Sequence, residues 1–433
     1  MNIRPFEIAL IGIFGLAALG GLLFLANMKG GSEEAVNPYG ERVVIWGTFP
    51  SQDVNKVLGE VSQGDKAFSV AIYRQIDERS FEGEFVNAIA EGNSPDLVLI
   101  PHTLIVSLRS KLTAISPENL DDRTFRDTYI DGAGIFRLSD GTYALPLAVD
   151  PLVLFWNRDI FSNLGIATPP KTWEMLVSET TPRITVFDSQ RTIKQSAIGM
   201  GEFINVNHAK EILAMLFFQA GINIVEERDE RYTITLGTGN GSSLSTESVL
   251  RFYTQFASPA SSAFTWTRSS QFDRNAFTAG KLAMYIGTGS EISAIADENP
   301  NMNFDIAPVP QAQGATALRN HGTFYGFGIP KASRNLSGAY RVALKLTEAT
   351  TAGRLTEVLE LTPVARALYS TPSTNVYGQI LRDAALISRG WLDPTPKETT
   401  DAFKTMVDSV TSGRKDVDEV INDVVYTLET LYR

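Results

Sequence analysis

Cysteine is absent from all 433 residues of the chain. That excludes disulfides, thiolate metal sites, cysteine nucleophiles and a lipid-modified N-terminal cysteine, so attachment to a membrane would need another device. Histidine is almost as scarce. The three present, His102, His208 and His321, stand far apart and in no metal-ligand spacing, so no zinc-hydrolase pattern emerges and no metal is expected. Blocks of basic residues are missing too. Thirty-eight Lys and Arg against 49 Asp and Glu give a formal net charge of -11, the opposite of the clustered cations that a nucleic-acid footprint requires. An acidic surface of this kind serves solubility.

Catalytic signatures are equally thin. No Gly-x-Ser-x-Gly nucleophile elbow occurs, and Gly287-Thr-Gly-Ser-Glu291 only approximates one. The run Gly237-Thr-Gly-Asn-Gly-Ser-Ser243 lacks the Lys of a P-loop and the strand-to-helix context of a dinucleotide fingerprint, so it reads as a flexible turn and no cofactor is expected. Paired carboxylates of the glycosidase type meet in space and not in sequence, so sequence leaves them open. The expectation is a protein that binds without catalysing.

Residues 8–26 form an uninterrupted run of Ile, Leu, Ala, Gly and Phe, and about 20 apolar residues suffice to cross a bilayer as a helix. Phe24-Leu-Ala-Asn-Met28 offers no clean small-x-small cleavage site, which predicts one uncleaved transmembrane anchor over residues 1–28. Arg4 lies before the run and only Lys29 follows closely, with Glu33 and Glu34 beyond, placing the folded body on the extracytoplasmic side. Residues 29–40 are small, polar and turn-prone, as a tether would be.

Beyond the tether, strand and helix signals alternate. Arg42-Val-Val-Ile-Trp46 reads as a strand, Val54, Val57, Leu58 and Val61 recur at helical spacing, and residues 68–76 read as a second strand. Residues 81–90 are helical by period, Gly92-Asn93-Ser94 stops them, and Pro95-Asp-Leu-Val-Leu-Ile100 is a buried strand. Such alternation predicts an α/β protein with helix-covered parallel sheets and a ligand site beyond the carboxyl ends of the strands. Tyr232 opens a segment that alternates like a hairpin strand. Near the C-terminus, Phe403, Met406, Val407 and Val410, then Val417, Val420, Ile421, Val424, Leu428 and Leu431, mark two apolar helix faces separated by Gly413.

The middle of the chain carries a more specific pattern. A strand of β-branched and aromatic residues, Leu152 to Trp156, leads to a short helix capped near Asn157 or Asp159, a Pro169-Pro170 break, and a new helix that Thr172 caps ahead of Trp173. This order resembles the segment where the chain passes from the first lobe to the second in bacterial extracellular solute-binding proteins of ABC importers, the family that includes maltose-binding protein. Four further segments are similar to that family: Asn87-Ala-Ile-Ala-Glu-Gly-Asn-Ser-Pro-Asp-Leu-Val98, Phe277-Thr-Ala-Gly-Lys-Leu-Ala-Met-Tyr-Ile286, Ile306-Ala-Pro-Val-Pro310 through Gly322 to Asn335, and Ser409-Val-Thr-Ser-Gly413 before a long helix.

The resemblance implies a two-lobe periplasmic-binding-protein-like fold, two sheets with flanking helices joined by several crossings at a hinge. The implied N-terminal lobe takes residues 41–149 and about 306–350, and the C-terminal lobe takes 150–305 and about 351–433. The implied function is extracytoplasmic capture of a small solute, a carbohydrate, for ABC permease subunits, by a protein expected to act as a monomer. A surface glycan-capture or sensor module with the same fold is the alternative.

Aromatic residues and a few polar groups at strand ends are the implied ligand contacts. They are Trp46 and Phe49 after the first strand, His102 after the strand at 95–100, Asp150 at the crossing, Trp156 at the end of the crossing strand, Trp266, Ser290, and Tyr325 in the return strand. Where maltose-binding protein has an acidic and a basic residue after its strand-end His, this chain has Thr103 and Leu104, and Ser290 stands where that relative presents an aromatic platform.

Overall fold

The computed structural model describes residues 42–432 apart from 65, 238–244 and 374. The expected anchor over 1–28, the tether over 29–40 and most of the glycine-rich run at 237–243 lie outside the described residues. Among the described residues no helix is long and apolar enough to cross a membrane.

One half of the molecule opens with three parallel strands, β1 (Val43–Gly47), β2 (Ala71–Gln75) and β3 (Leu97–Pro101), separated by helices α1 (Ser51–Gly64) and α2 (Phe81–Ala90). The expected strand at 68–76 is shorter than its apolar pattern suggests. Phe68 and Val70 are buried from a 3-10 turn over Lys66–Val70, so their side chains reach the core without a strand.

Strand β4 (Ala144–Asn157) is the spine of the molecule. Thirteen of its 14 residues are buried, which fits a run of Leu, Val, Ala and Phe with almost no polar alternation. The second half adds strand β5 (Ile193–Ile198), helix α3 (Ala209–Gln219), the hairpin of β6 (Val225–Arg228) and β7 (Arg231–Ile234), helix α4 (Asp273–Thr278), strand β8 (Leu282–Thr288), helix α5 (Glu291–Glu298) and strand β9 (Phe304–Ala307). Strand β10 (Asn320–Gly328) then returns. The first sheet runs β2-β1-β3-β10-β4 and continues through β4 into β8 and β5.

Register shows where the halves meet. Pro101, at the carboxyl end of β3, pairs with Tyr325, which pairs with Ala148 of β4. Thr288, at the carboxyl end of β8, pairs with Leu152 of the same strand. Both sets of strand ends therefore converge on β4 within about 13 Å of each other, centred on Asp150.

Two apolar cores lie on either side of that junction. The first is built from residues between Val43 and Val149, then Phe324 to Val364, with Ala385 and Leu392. The second runs from Leu152 to Val309 and resumes at Ala384, Trp391 and the C-terminal helices α6 (Pro396–Thr411) and α7 (Val417–Leu431). Those helices bury the expected stripes, including Phe403, Met406, Val407, Val420 and Leu428. Gly413 ends the first of them with φ of +67°, a left-handed conformation that favours glycine. Each fully buried Leu, Val or Phe stabilises the fold by about 1.5–3 kcal/mol.

Candidate functional site

At the carboxyl end of β1 the backbone runs close over Tyr73, where a Cβ on Gly47 would lie 2.4 Å from the Tyr73 hydroxyl. That hydroxyl accepts the Phe49 N–H at 3.0 Å and so fixes the loop after the strand. Phe49 is thereby set edge-on to Tyr325 of β10, with ring centroids 5.1 Å apart and planes at 65°. Burial raises the Tyr325 hydroxyl far above its ordinary pKa, reinforced by the negative charges of Asp150 and Glu78.

Asp150 occupies the middle of β4. Its carboxylate accepts the Ser290 N–H at 3.0 Å and the Ser290 hydroxyl at 2.6 Å. Burial pushes its pKa up to about 6, against the bonds from Ser290 and Thr288 that favour the charged form. Gly289 permits this approach, since a Cβ there would stand 2.6 Å from Leu381 and 3.5 Å from an Asp150 oxygen.

Beside Ser290 lies a network with no counterpart in sequence reasoning. Glu291 accepts from Tyr285 at 2.9 Å and from Thr288 N–H at 3.0 Å, and its Oε2 lies 3.0 Å from His208 Nε2. Burial alone would discharge His208, but the bond and charge of Glu291 overcome it and raise the pKa to about 9. The same pairing holds Glu291 below its ordinary value against the effect of burial. Asp273, at the start of α4, is pushed up to about 7 by burial although it accepts N–H bonds from Asn207 and Arg274. No sequence spacing links residues 208, 285 and 291, because the fold brings them together from a loop, a strand and a helix start.

Of the residues expected at the site, Phe49, Asp150, Ser290 and Tyr325 meet at this junction, and four sit elsewhere. Trp46 lies on the β1 face of Val44 and lines a surface groove with Arg42, Arg74, Asn87 and Arg334. His102 is wholly buried, where its Nδ1 accepts the Phe324 N–H at 3.1 Å and its Nε2 abuts Gly390. Burial lowers its pKa to about 3, so it is neutral. Trp156 pairs with Met284, four residues from Thr288, which puts it about 13 Å along the strand from the junction and edge-on to Phe161. Trp266 is 1% exposed, and its indole N–H is donated to Asn205 at 3.1 Å. Among the described residues no cluster of three or more His, Asp or Glu could hold a metal ion.

Two sheets threaded by shared strands, with aromatic and hydrogen-bonding side chains gathered where the strand ends of both halves converge, define a two-lobed binding protein. The chain belongs to the family of bacterial extracellular solute-binding proteins, whose sequence profile matches residues 64–379. Proteins of Brucella abortus strain 2308 and Brucella suis biovar 1 strain 1330, named for a binding function assigned to them provisionally, are each 22% identical over 359 residues, covering 80% of this chain and 81% of the relative.

Solved structures share the fold at lower identity. A cyclo/maltodextrin-binding protein complexed with maltotetraose superposes with a TM-score of 0.73 at 15% identity, covering 90% of this chain and 96% of that one. The GacH receptor of Streptomyces glaucescens, solved unliganded and with acarbose, gives 0.68 at 19%, covering 90% and 98%. An ABC transporter solute-binding protein of Thermotoga lettingae bound with α-D-tagatose gives 0.66 at 19%, covering 91% and 100%.

Proposed function

We propose that the protein captures a small carbohydrate at the junction of its lobes and delivers it to the permease of an ABC importer. The observation that carries this reading is the convergence of the Phe49 and Tyr325 ring pair with the Asp150 and Ser290 pair on one stretch of β4. Rings cover the apolar face of a sugar, and a carboxylate and hydroxyl bind its hydroxyl groups. Solved relatives of the same fold carry maltotetraose, acarbose and tagatose.

Capture works through the lobes. A solute that touches both favours the closed arrangement only by its differential affinity for that state, and release follows when the permease favours the open one. The first lobe comprises residues 41–149 and the return from about 306, and the apolar contacts of Leu355, Leu359 and Val364 with the first core extend it beyond residue 350. The second lobe takes 150–305 and the C-terminal helices. The apolar run at 8–26 anchors a monomeric protein as a single-pass membrane protein with its lobes outside the cytoplasm, and the protein carries out no catalysis.

The test is a thermal-shift screen of detergent-solubilised full-length protein against mono- and oligosaccharides, followed by ATPase assays with the permease in vesicles. Stabilisation by a sugar together with ATPase stimulation is expected. Binding without stimulation by any permease would favour the glycan-capture or sensor reading, and turnover of the bound sugar would contradict the absence of catalysis.

A further inference from the structure

The turn from β8 into α5 is gripped from two sides. On one side β4 holds it: the Gly289 N–H donates to the Pro151 carbonyl at 3.0 Å, and Ser290 gives its N–H and its hydroxyl to Asp150. On the other side Glu291 folds back over its own turn and accepts the Thr288 N–H at 3.0 Å and the Tyr285 hydroxyl at 2.9 Å. Gly287 makes room for that return, since a Cβ there would strike the Glu291 carboxylate and the Tyr285 ring. Thr288 joins the two grips, because its N–H belongs to Glu291 while its hydroxyl lies 3.1 Å from that of Ser290.

Glu291 has little access to water. Its side chain is 14% exposed, and a carboxylate in that setting stays charged only where cations and donors compensate it. His208, immediately before α3, brings Nε2 to 3.0 Å, and Arg274 of α4 approaches to 3.7 Å while also pairing with Glu298. Around His208 the charges are mostly negative: Glu291 from α5, Asp273 from α4 and Glu211 from α3, with the ring of Tyr285 from β8 6.2 Å away. Asp150 of β4 senses the same imidazolium. His321 of β10 senses it too but is itself held neutral by burial.

We infer that Glu291, held by His208, is a positioning residue of the solute site: the pair fixes the turn that aims Ser290 at Asp150, and solute affinity depends on the charge of His208. This rests on the carbohydrate reading of the junction and adds its regulation, a capture that weakens in alkaline surroundings. When His208 loses its proton, Glu291 keeps a buried charge with one cation fewer, so its carboxylate turns toward water and releases Thr288 and Tyr285. The solute must then order the turn as it binds, which lowers affinity.

The groups at the junction separate this proton from the others. Against burial, which would discharge it, the bond and charge of Glu291 raise the His208 pKa to about 9. Asp150 and Asp273, at about 6 and about 7, are ionised by pH 8. Burial raises Tyr285 and Tyr325 far above their ordinary values, so both keep their protons at pH 10.

Full-length protein in detergent is titrated by calorimetry at pH 8 and pH 10 with maltotetraose, acarbose, D-tagatose and whichever further sugar of the thermal-shift panel binds. The wild-type Kd is expected to rise roughly five- to tenfold across that interval. By linkage, saturation with sugar is expected to raise the His208 pKa, read from histidine side-chain NMR in which His102 and His321 stay neutral. His208→Gln and Glu291→Gln keep the approximate shapes of the pair without its charges. Each is expected to bind roughly five- to tenfold more weakly than wild type at pH 8 and to show no further step up to pH 10. A wild-type Kd unchanged between pH 8 and pH 10, a pH step that persists in His208→Gln, or wild-type affinity in either folded variant at pH 8 overturns the positioning role and leaves the carbohydrate reading standing. If the wild type binds no sugar of the panel at pH 8, the carbohydrate reading fails and the positioning role falls with it.

Discussion

Asp150 holds its carboxylate 93% buried by fractional exposure in the middle of a shared strand, a position where charge is costly without partners. Two donors from Ser290 keep it viable, yet its pKa still rises to about 6. A carboxyl group that binds its proton more tightly when folded stabilises the protein below its unfolded value near 3.8, and this contribution is lost as pH rises through 6. The wild type should therefore lose stability relative to Asp150→Asn between pH 4 and pH 7, on the order of 2 kcal/mol. Denaturant midpoints across that range measure it, and a wild type that gains on the variant contradicts the assignment. The placement of single residues was partly legible. Phe49, Asp150, Ser290 and Tyr325 lie next to strand ends that the apolar pattern marks. Trp156 and Trp266 carry the same local signal, but strand register moves one along β4 and a hydrogen bond to Asn205 draws the other into the core.

Among the elements, the loop after β5 depends on a glycine. Gly201 has φ of +98°, and a Cβ there would lie 2.5 Å from the Ala257 backbone nitrogen. Backbone cannot yield as a side-chain tip can, so Gly201→Ala should cost about 2 kcal/mol or more and displace the loop that carries Ile204 and Asn205. A melting temperature equal to wild type would show that the loop is not so constrained. Strand and helix identity was readable here because apolar spacing is a local property: β1, β3, α2 and both C-terminal helices follow it. The extent of β4 was not. Its first half, Ala144 to Pro151, contains two prolines and a buried Asp, and pairing with β10 on one edge and with Thr362 and Pro363 on the other makes it a strand.

Across the whole molecule, the lobes are tied together outside the shared strands. The β6-β7 hairpin of the second lobe turns through Asp229 and Glu230, both at positive φ. Its Glu227 accepts the Ser139 hydroxyl at 2.6 Å and N–H at 3.1 Å, and Tyr232 accepts from Arg109 at 3.3 Å, with Asp140 2.8 Å from the same guanidinium. Tyr232 also stacks on Tyr432 with centroids 4.8 Å apart. Relative motion of the lobes must strain or break this group. Arg109→Ala combined with Glu227→Gln should therefore broaden the distribution of lobe separations in solution scattering, and an unchanged profile would mean that the shared strands alone set the geometry. Sequence marked the hairpin strand at Tyr232 but not its partner, because Arg109 is more than a hundred residues away.

The central claim is that a carbohydrate sits where the strand ends of both lobes meet on β4. Calorimetric titration of the best sugar from the screen into wild type, Phe49→Ala and Asp150→Ala tests it most directly. One saturable site per chain is predicted, weakened by about tenfold in each variant through the loss of roughly 1.4 kcal/mol. No saturable heat with any sugar, or wild-type affinity in both folded variants, would contradict it.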